Sequence, residues 1–261
     1  RQSPSCSAAF RDDLSMDFDK PLIPARLIRR YKRFLADVRL DSAPDGAPVT
    51  VHCPDPGAMT GLTTPGARVW LAPARNPKAR LPYSWEMIET ASGLVGINTH
   101  HPNRLVREAL DGGRIAPLAR FGTLRAEVPY GENSRIDFLL SSARGPDTYL
   151  EVKNVHLRRN GTAPGGLAEF PDTVTRRGAK HMRELAAMTR AGHRAVVLYV
   201  VQRMDCDRFA VAGDIDPDYA AAAWAAREAG VAFLAYQCDL SLTALSITDP
   251  IPVIWPDRPP G

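Results

Sequence analysis

Cysteine is scarce in this chain: Cys6, Cys53, Cys206 and Cys238 are the four among 261 residues. None forms a C-x-x-C pair and no histidine-rich stretch offers ligand spacing, which excludes the common structural zinc modules. So sparse a set also excludes a secreted disulfide framework, and a reducing, cytoplasmic setting is expected. Long apolar runs are lacking as well. Nothing approaches the roughly 20 residues of a membrane span, so no membrane partner is expected. The opening RQSPSCSAAFRDDLS has no apolar h-region and is not a signal peptide, and residues 1–16 are expected to be a disordered extension. Neither charge sign dominates: 33 Lys and Arg stand against 29 Asp and Glu. The resulting +4 permits an anionic partner without demanding one. With 44% hydrophobic residues, the chain has ordinary globular composition and length enough for two domains.

What is present divides in two. From Pro21 to about Thr90, short β runs (RLIRRYKRFLADVRL, VTVHC, ARVWLAPA, SWEMIET) alternate with Pro- and Gly-rich turns, and helical periodicity is missing. Many short strands with frequent turn signals predict a small OB-like barrel over residues 17–92. RLIRRYKRFLADVRL is long enough for one strand or two bent ones. Beyond Leu94 the pattern changes. HPNRLVREALDGG predicts a helix with Pro102 in its first turn and Gly112-Gly113 at its end. Three strands follow: RFGTLRAEVPY, SRIDFLL and TYLEVKNV. DTVTRRGAKHMRELAAMTRAG predicts a helix capped by Asp172 or Thr173 and closed by Gly192. HRAVVLYVVQ reads as a strand buried on both faces, DPDYAAAAWAAREAG as a helix and VAFLAYQC as a final strand. Strands alternating with helices predict parallel crossovers in an α/β domain over residues 93–248, with a Pro-rich extended tail over 249–261.

RIDFLLSSARGPDTYLEVKNV carries the most chemistry. A symmetric turn about Arg144 pairs Leu140 with Thr148 and sets Asp137 opposite Glu151. Strand alternation then places Asp137, Glu151 and Lys153 on one face. Two carboxylates ~5 Å apart repel by roughly 3 kcal/mol at an effective dielectric of 20. A divalent cation reverses that sign, and oxygen ligands on strands suit Mg²⁺ or Mn²⁺. Lys153 can reach an attacking water or a phosphate oxygen. The competing reading is a solvated face on which Arg135, Asp137, Glu151 and Lys153 balance, since so short a motif is common by chance.

Two basic clusters suit a polyanion. Arg26, Arg29, Arg30, Lys32, Arg33 and Arg39 surround a single acid, Asp37, and are interleaved with Tyr31 and Phe34, as backbone tracking and base stacking require. A solvated edge that discourages strand pairing is the alternative. Arg176, Arg177, Lys180, His181 and Arg183 lie along the helix after the catalytic strands, where i, i+4 and i+3 spacing puts residues 176, 180 and 183 on one face. An ordinary solvated helix face is the alternative there.

The helix, three-strand, helix, strand order with Glu151-Val152-Lys153 on the second strand resembles the PD-(D/E)XK nuclease core, although Ile136 stands where that signature has proline. PLIPARLIRRYKRF, VHCPDPGAMTGL, LVGINTHHPNRLVREAL, ENSRIDFLL, YLEVKNV, FPDTVTRRGAKHMREL and HRAVVLYVVQR together resemble the sugar fermentation stimulation protein A (SfsA) family, from about Phe18 to about Cys238. The resemblance implies an N-terminal OB-like barrel, a restriction-endonuclease-like mixed-sheet domain, DNA binding and a role in regulating sugar (maltose) metabolism. By position it implies Asp137, Glu151 and the Val152 carbonyl as ligands of Mg²⁺ or Mn²⁺, and Lys153 as the residue that orients water and stabilises phosphate charge. Glu108 would support the metal from the first helix, and Gln202 would be a polar site residue at a strand end. Two functions remain: a metal-dependent DNA nuclease and a catalytically silent DNA-binding regulator. RNA as the polymer and a homodimer as the assembly are both open.

Overall fold

The computed structural model describes residues 15–74, 76, 78–143, 145–159, 161 and 165–257. Arg144 and residues 1–14 of the expected extension lie outside the described residues. The first part contains β1 (Met16–Asp17), β2 (Ile23–Tyr31), β3 (Leu35–Leu40), β4 (Val49–His52), β5 (Arg68–Pro73), β6 (Tyr83–Thr90) and β7 (Gly93–Gly96). Alternation drives the curvature: in β2, Ala25 and Leu27 are buried while Arg26 between them is exposed. The sheet runs β4-β3-β2-β5-β6-β7 and closes where His52 of β4 pairs with Ser84 of β6. Ala25, Leu27, Val38, Val51, Val69, Leu71, Trp85 and Ile88 fill the OB-like barrel. The β2–β3 segment is a hairpin whose turn holds Lys32 and Arg33 at φ 49° and 61°. That region is uncommon for residues other than glycine, so the turn presents two cations at some conformational cost.

The second part contains α1 (His101–Asp111), β8 (Thr123–Tyr130), β9 (Ser134–Ser142), β10 (Gly145–Val155), β11 (Gly166–Phe170), α2 (Arg176–Arg190), β12 (Arg194–Val201), β13 (Cys206–Val211), α3 (Pro217–Glu228), β14 (Ala232–Leu240), β15 (Ala244–Ile251) and β16 (Val253–Ile254). A seven-stranded mixed sheet runs β1-β15-β14-β12-β10-β9-β8, parallel through β10, β12 and β14. Leu105 and Val106 of α1 pack on one face with Phe138, Leu150, Leu198 and Val200. Met182 and Leu185 of α2 and Tyr219 and Ala223 of α3 pack with Val197, Tyr199 and Val201 on the other. β12 is buried on both sides, as its unbroken apolar run requires.

Five details differ from the sequence reading. β11, β13 and β16 form a small parallel sheet that the sequence did not announce. Met16, expected to close the disordered extension, is 1% exposed and pairs with Leu245 across β1 and β15. β7 keeps the barrel going past residue 92, and Asp249 lies within β15 rather than in a tail. The α2 cap is Thr175, whose hydroxyl accepts from the Gly178 N–H at 3.1 Å. Asp172 is drawn elsewhere, accepting from the Met59 N–H at 3.0 Å.

The two parts meet along a polar seam. Gly96 N–H donates to the Gln202 carbonyl at 3.0 Å. A Cβ on Gly96 would lie 2.6 Å from Gln202 Oε1, so glycine permits this approach. Asp205 accepts from Ser92 of the barrel at 2.5 Å, from Arg158 at 2.7 Å and from Arg203 at 2.8 Å.

Candidate functional site

β9 and β10 pair Leu140 with Thr148, Leu139 with Tyr149 and Phe138 with Leu150, the symmetric register expected from the turn. There the described ladder stops, while β10 continues beside β12 to Val155. The Val152 N–H instead donates to the Asp137 Oδ2 at 2.7 Å, so a side chain replaces the strand partner and the two strands fork. Asn103 Nδ2, from the first turn of α1, donates to Asp137 Oδ1 at 2.9 Å. Glu151 Oε1 accepts from Lys153 Nζ at 2.6 Å and from His181 Nδ1 of α2. The acids are thus supported from opposite helical layers and converge at the fork, rather than lying flat on one sheet face.

Electrostatics binds them into one unit. Burial raises the pKa of Asp137, and the charge of Glu151 raises it further against the opposing pull of Lys153. Burial also works to raise Glu151, but Lys153 and His181 outweigh it and hold that carboxyl below its usual value. Glu151 therefore carries the site's negative charge readily, and ionising Asp137 beside it is costly. Glu151 Oε2 is buried and accepts no hydrogen bond among the described residues. An orphaned carboxylate oxygen next to a second acid is a donor set that a small hard cation would complete.

His181 went unrecognised as a site residue because it sits among arginines. It is 3% exposed, on the face of α2 shared with Gly178, Met182 and Leu185, a spacing visible in the sequence. Arg177 Nε donates to His181 Nε2 at 3.3 Å, which leaves the Nδ1 proton for Glu151. Asn103 also gave no signal beyond its place in the first helical turn. The buried Tyr130 hydroxyl has no hydrogen-bond partner among the described residues; burial first, then the charges of Glu151, Glu184 and Asp137, push its pKa up.

Glu108 accepts from Arg104 at 2.9 Å on its own helix. It stands roughly 140° around α1 from Asn103, which occupies the supporting place instead. Gln202 is fully buried at the seam, where its Nε2 donates to Asn154 Oδ1 at 2.6 Å and to the Asn98 carbonyl at 3.2 Å. It therefore braces the end of β10.

The expected polymer-contacting residues divide by engagement. The Arg29 side chain is 67% exposed, pairs with Asp37 at 2.9 Å and lies 4.8 Å over the Tyr31 ring. Lys32, Arg33 and Phe34 are exposed at the hairpin tip. Arg30 instead donates to the carbonyls of Arg33, Asp55 and Gly57 at 3.0, 2.7 and 2.9 Å, so it holds the loop after β4. Arg26 lies 3.8 Å from Asp41. Residues 29–33, with Ala58, Thr63 and Pro65, line a shallow groove of about 390 Å³. On α2, Arg176, Arg177 and Arg183 are exposed, while Lys180 donates to the Glu132 carbonyl.

Residues 100–244 match the family described as the sugar fermentation stimulation protein RE domain, and residues 28–97 match the SfsA N-terminal OB domain. A sugar fermentation stimulation protein homolog of Jannaschia sp. is 53% identical over 240 residues, covering 91% of this chain and 97% of the relative. The homolog of Rhodospirillum centenum is 55% identical over 232 residues, covering 89% and 97%. The solved Pyrococcus furiosus SfsA in complex with Ca²⁺ has the same fold at TM-score 0.80 and 23% identity, over 92% of this chain and 98% of that one. The chain belongs to the sugar fermentation stimulation protein family, with an OB-like barrel joined to a nuclease-like mixed-sheet domain.

Proposed function

We propose that the protein is a cytosolic DNA-binding phosphodiesterase acting within sugar regulation, with Mg²⁺ or Mn²⁺ held by Asp137, Glu151 and the Val152 carbonyl. The observation that carries this reading is the strand fork, where two acids and Lys153 meet and one carboxylate oxygen is buried without a partner. That the Pyrococcus relative is described with Ca²⁺, a hard oxygen-seeking ion, supports it. When bound, the ion supplies charge neutralisation at the phosphate and lowers the pKa of a coordinated water. Lys153, held 2.6 Å from Glu151, donates to the nucleophilic water or to the phosphate oxygen on which charge develops. Asn103 and His181 fix the rotamers of the two acids. The exposed Arg29, Lys32 and Arg33 on the barrel and Arg176 and Arg177 on α2 track the phosphate backbone, and Phe34, 48% exposed, stacks on a base. Cys53, Cys206 and Cys238 are unpaired and buried, in keeping with a reducing compartment.

One observation favours the alternative, a regulator that binds DNA without cutting it: Glu151 is 3% exposed and one of its oxygens is already taken by two donors. The two readings separate on incubation with single-stranded, duplex and branched DNA, with and without Mg²⁺ or Mn²⁺. Hydrolysis requires metal-dependent cleavage that Lys153→Ala abolishes. Binding without cleavage of any substrate establishes the regulator, and cleavage unchanged in Lys153→Ala removes the fork from the chemistry.

A further inference from the structure

Asp55, His156 and Asp172 come together at the seam, outside the fork, with candidate ligand atoms all within 4.8 Å of one another. They come from three segments: the Cys53-Pro54-Asp55-Pro56-Gly57 loop of the barrel, the residue just past β10, and the link between β11 and α2. Asp55 is 1% exposed and His156 5%. The packing is close enough that a Cβ on Gly57 would lie 2.3 Å from Asp172 Oδ2.

The hydrogen bonds leave a gap in this cluster. Gln202 Nε2 donates to both the Asn98 carbonyl and Asn154 Oδ1, which orients the Asn154 amide. Asn154 Nδ2 then faces His156 Nδ1 at 3.1 Å, so Nδ1 is a lone pair and the ring proton is on Nε2, toward Asp172 Oδ2 at 3.3 Å. Asp55 Oδ2 lies 3.3 Å from the same Nδ1, is buried, and accepts no hydrogen bond among the described residues. The Asn154 amide thus serves Nδ1, while the Asp55 Oδ2 beside it is left without a donor among the described residues. The neighbouring guanidinium groups are committed elsewhere: Arg30 to the carbonyls of Asp55 and Gly57, Arg203 to the His156 carbonyl and Asp205.

Two species could fill the gap, a proton or a metal ion, and the contact geometry discriminates. A charge-assisted N–H to carboxylate contact closes to about 2.7–2.9 Å. Both imidazole–carboxylate separations here are 3.3 Å, but only the Nε2–Asp172 pair has hydrogen-bond geometry. Two donors bound to one ion at ~2.0–2.2 Å, near the tetrahedral angle, stand roughly 3.3–3.5 Å apart.

We propose that Asp55, His156 and Asp172 form a second metal site, for a first-row transition dication of the Zn²⁺ type. Asp55 Oδ2 and His156 Nδ1 are its ligands, the ion taking the Nδ1 lone pair from the Asn154 amide; Asp172 orients the ring through Nε2. The imidazole nitrogen sets this site apart from an all-oxygen Mg²⁺ or Ca²⁺ site. The bound ion staples the barrel loop, which Arg30 ties to the basic hairpin, to the end of the strand bearing Glu151 and Lys153.

The test uses the full chain carrying Asp137→Asn and Glu151→Gln, which lacks the fork acids, stripped of metal and titrated separately with Zn²⁺ and Mg²⁺ by calorimetry. One equivalent of Zn²⁺ should bind, Mg²⁺ should not, and Co²⁺ loading should give a visible d–d band. Adding Asp55→Asn, which preserves volume, or His156→Gln should weaken Zn²⁺ binding by about 100-fold or more. The site is refuted if the fork variant binds no Zn²⁺, or if Asp55→Asn and His156→Gln leave its affinity unchanged. Melting that depends on pH alone, with no response to Zn²⁺, identifies a protonated imidazole bridge and also refutes it.

Discussion

Asp137→Asn should make the metal-free protein more stable while removing its response to Mg²⁺. The magnitude follows from the fork. Two carboxylates ~5 Å apart at an effective dielectric of 20 repel by roughly 3 kcal/mol. Losing the attraction to Lys153 and rearranging the Asn103 contact offset part of that, at about 1 kcal/mol for a hydrogen bond. A net gain of about 1–2 kcal/mol remains, which for a protein of this size raises Tm by roughly 2–8 °C. The pH dependence has a definite sign. Burial and the Glu151 charge raise the Asp137 pKa in the folded state. The stability linked to its protonated form is therefore complete below the ordinary carboxylate range and is lost as pH rises through the raised value. The gain from asparagine should accordingly be present at neutral pH and vanish in acid. Melting in chelator and in excess Mg²⁺, at both pH values, measures all of this. A variant less stable than wild type in chelator at neutral pH, or equally stabilised by Mg²⁺, would refute the reasoning.

Asp205→Asn should weaken the seam by about 3–5 kcal/mol in urea unfolding, because it leaves Arg158 and Arg203 partly unpaired. Burial works to raise the Asp205 pKa, but Arg203, Ser92 and Arg158 outweigh it and hold the carboxyl far below its usual range. Its contribution should persist above that range and disappear as pH falls through the lowered value; a flat acid limb would argue against it. Arg29→Ala with Lys32→Ala should reduce the salt slope of DNA affinity by about two phosphate contacts and leave Tm unchanged. Arg30→Ala should do the reverse, lowering Tm with little change in slope, since its donors hold three carbonyls. His181→Ala should leave the fold near wild type yet reduce cleavage by roughly 10–100-fold by releasing Glu151, an effect that His181→Asn should partly restore.

The sequence was most legible where one physical rule governed a segment. Residues 194–201 read as a doubly buried strand because a central parallel strand has no solvent face. The hairpin register followed from the turn, and the pairs from Thr148 to Leu150 keep it, whereas Gly145 pairs with Ser142 across a bulge nearer the turn. Period-two alternation does not show where a ladder ends, however. The fork appears only when Asp137 takes the Val152 N–H, so the shared face assigned to both acids had to be corrected. His181 was hidden by local charge: its neighbours read as a solvated basic face, whereas its position on the apolar stripe placed it in the site. Arg30 was indistinguishable from Arg29 in the sequence, because what separates them is a loop 25 residues away. The Asp55, His156 and Asp172 cluster was beyond reach, since it joins three segments whose proximity is a property of the domain seam.

The most direct measurement is the anomalous difference map of crystals soaked in Mn²⁺. A peak at the strand fork, bonded at about 2.0–2.3 Å to one oxygen each of Asp137 and Glu151, is the expected result. A fork still closed by the Asn103, Lys153 and His181 hydrogen bonds, with no peak there at saturating Mn²⁺, would contradict the claim that these acids share one ion.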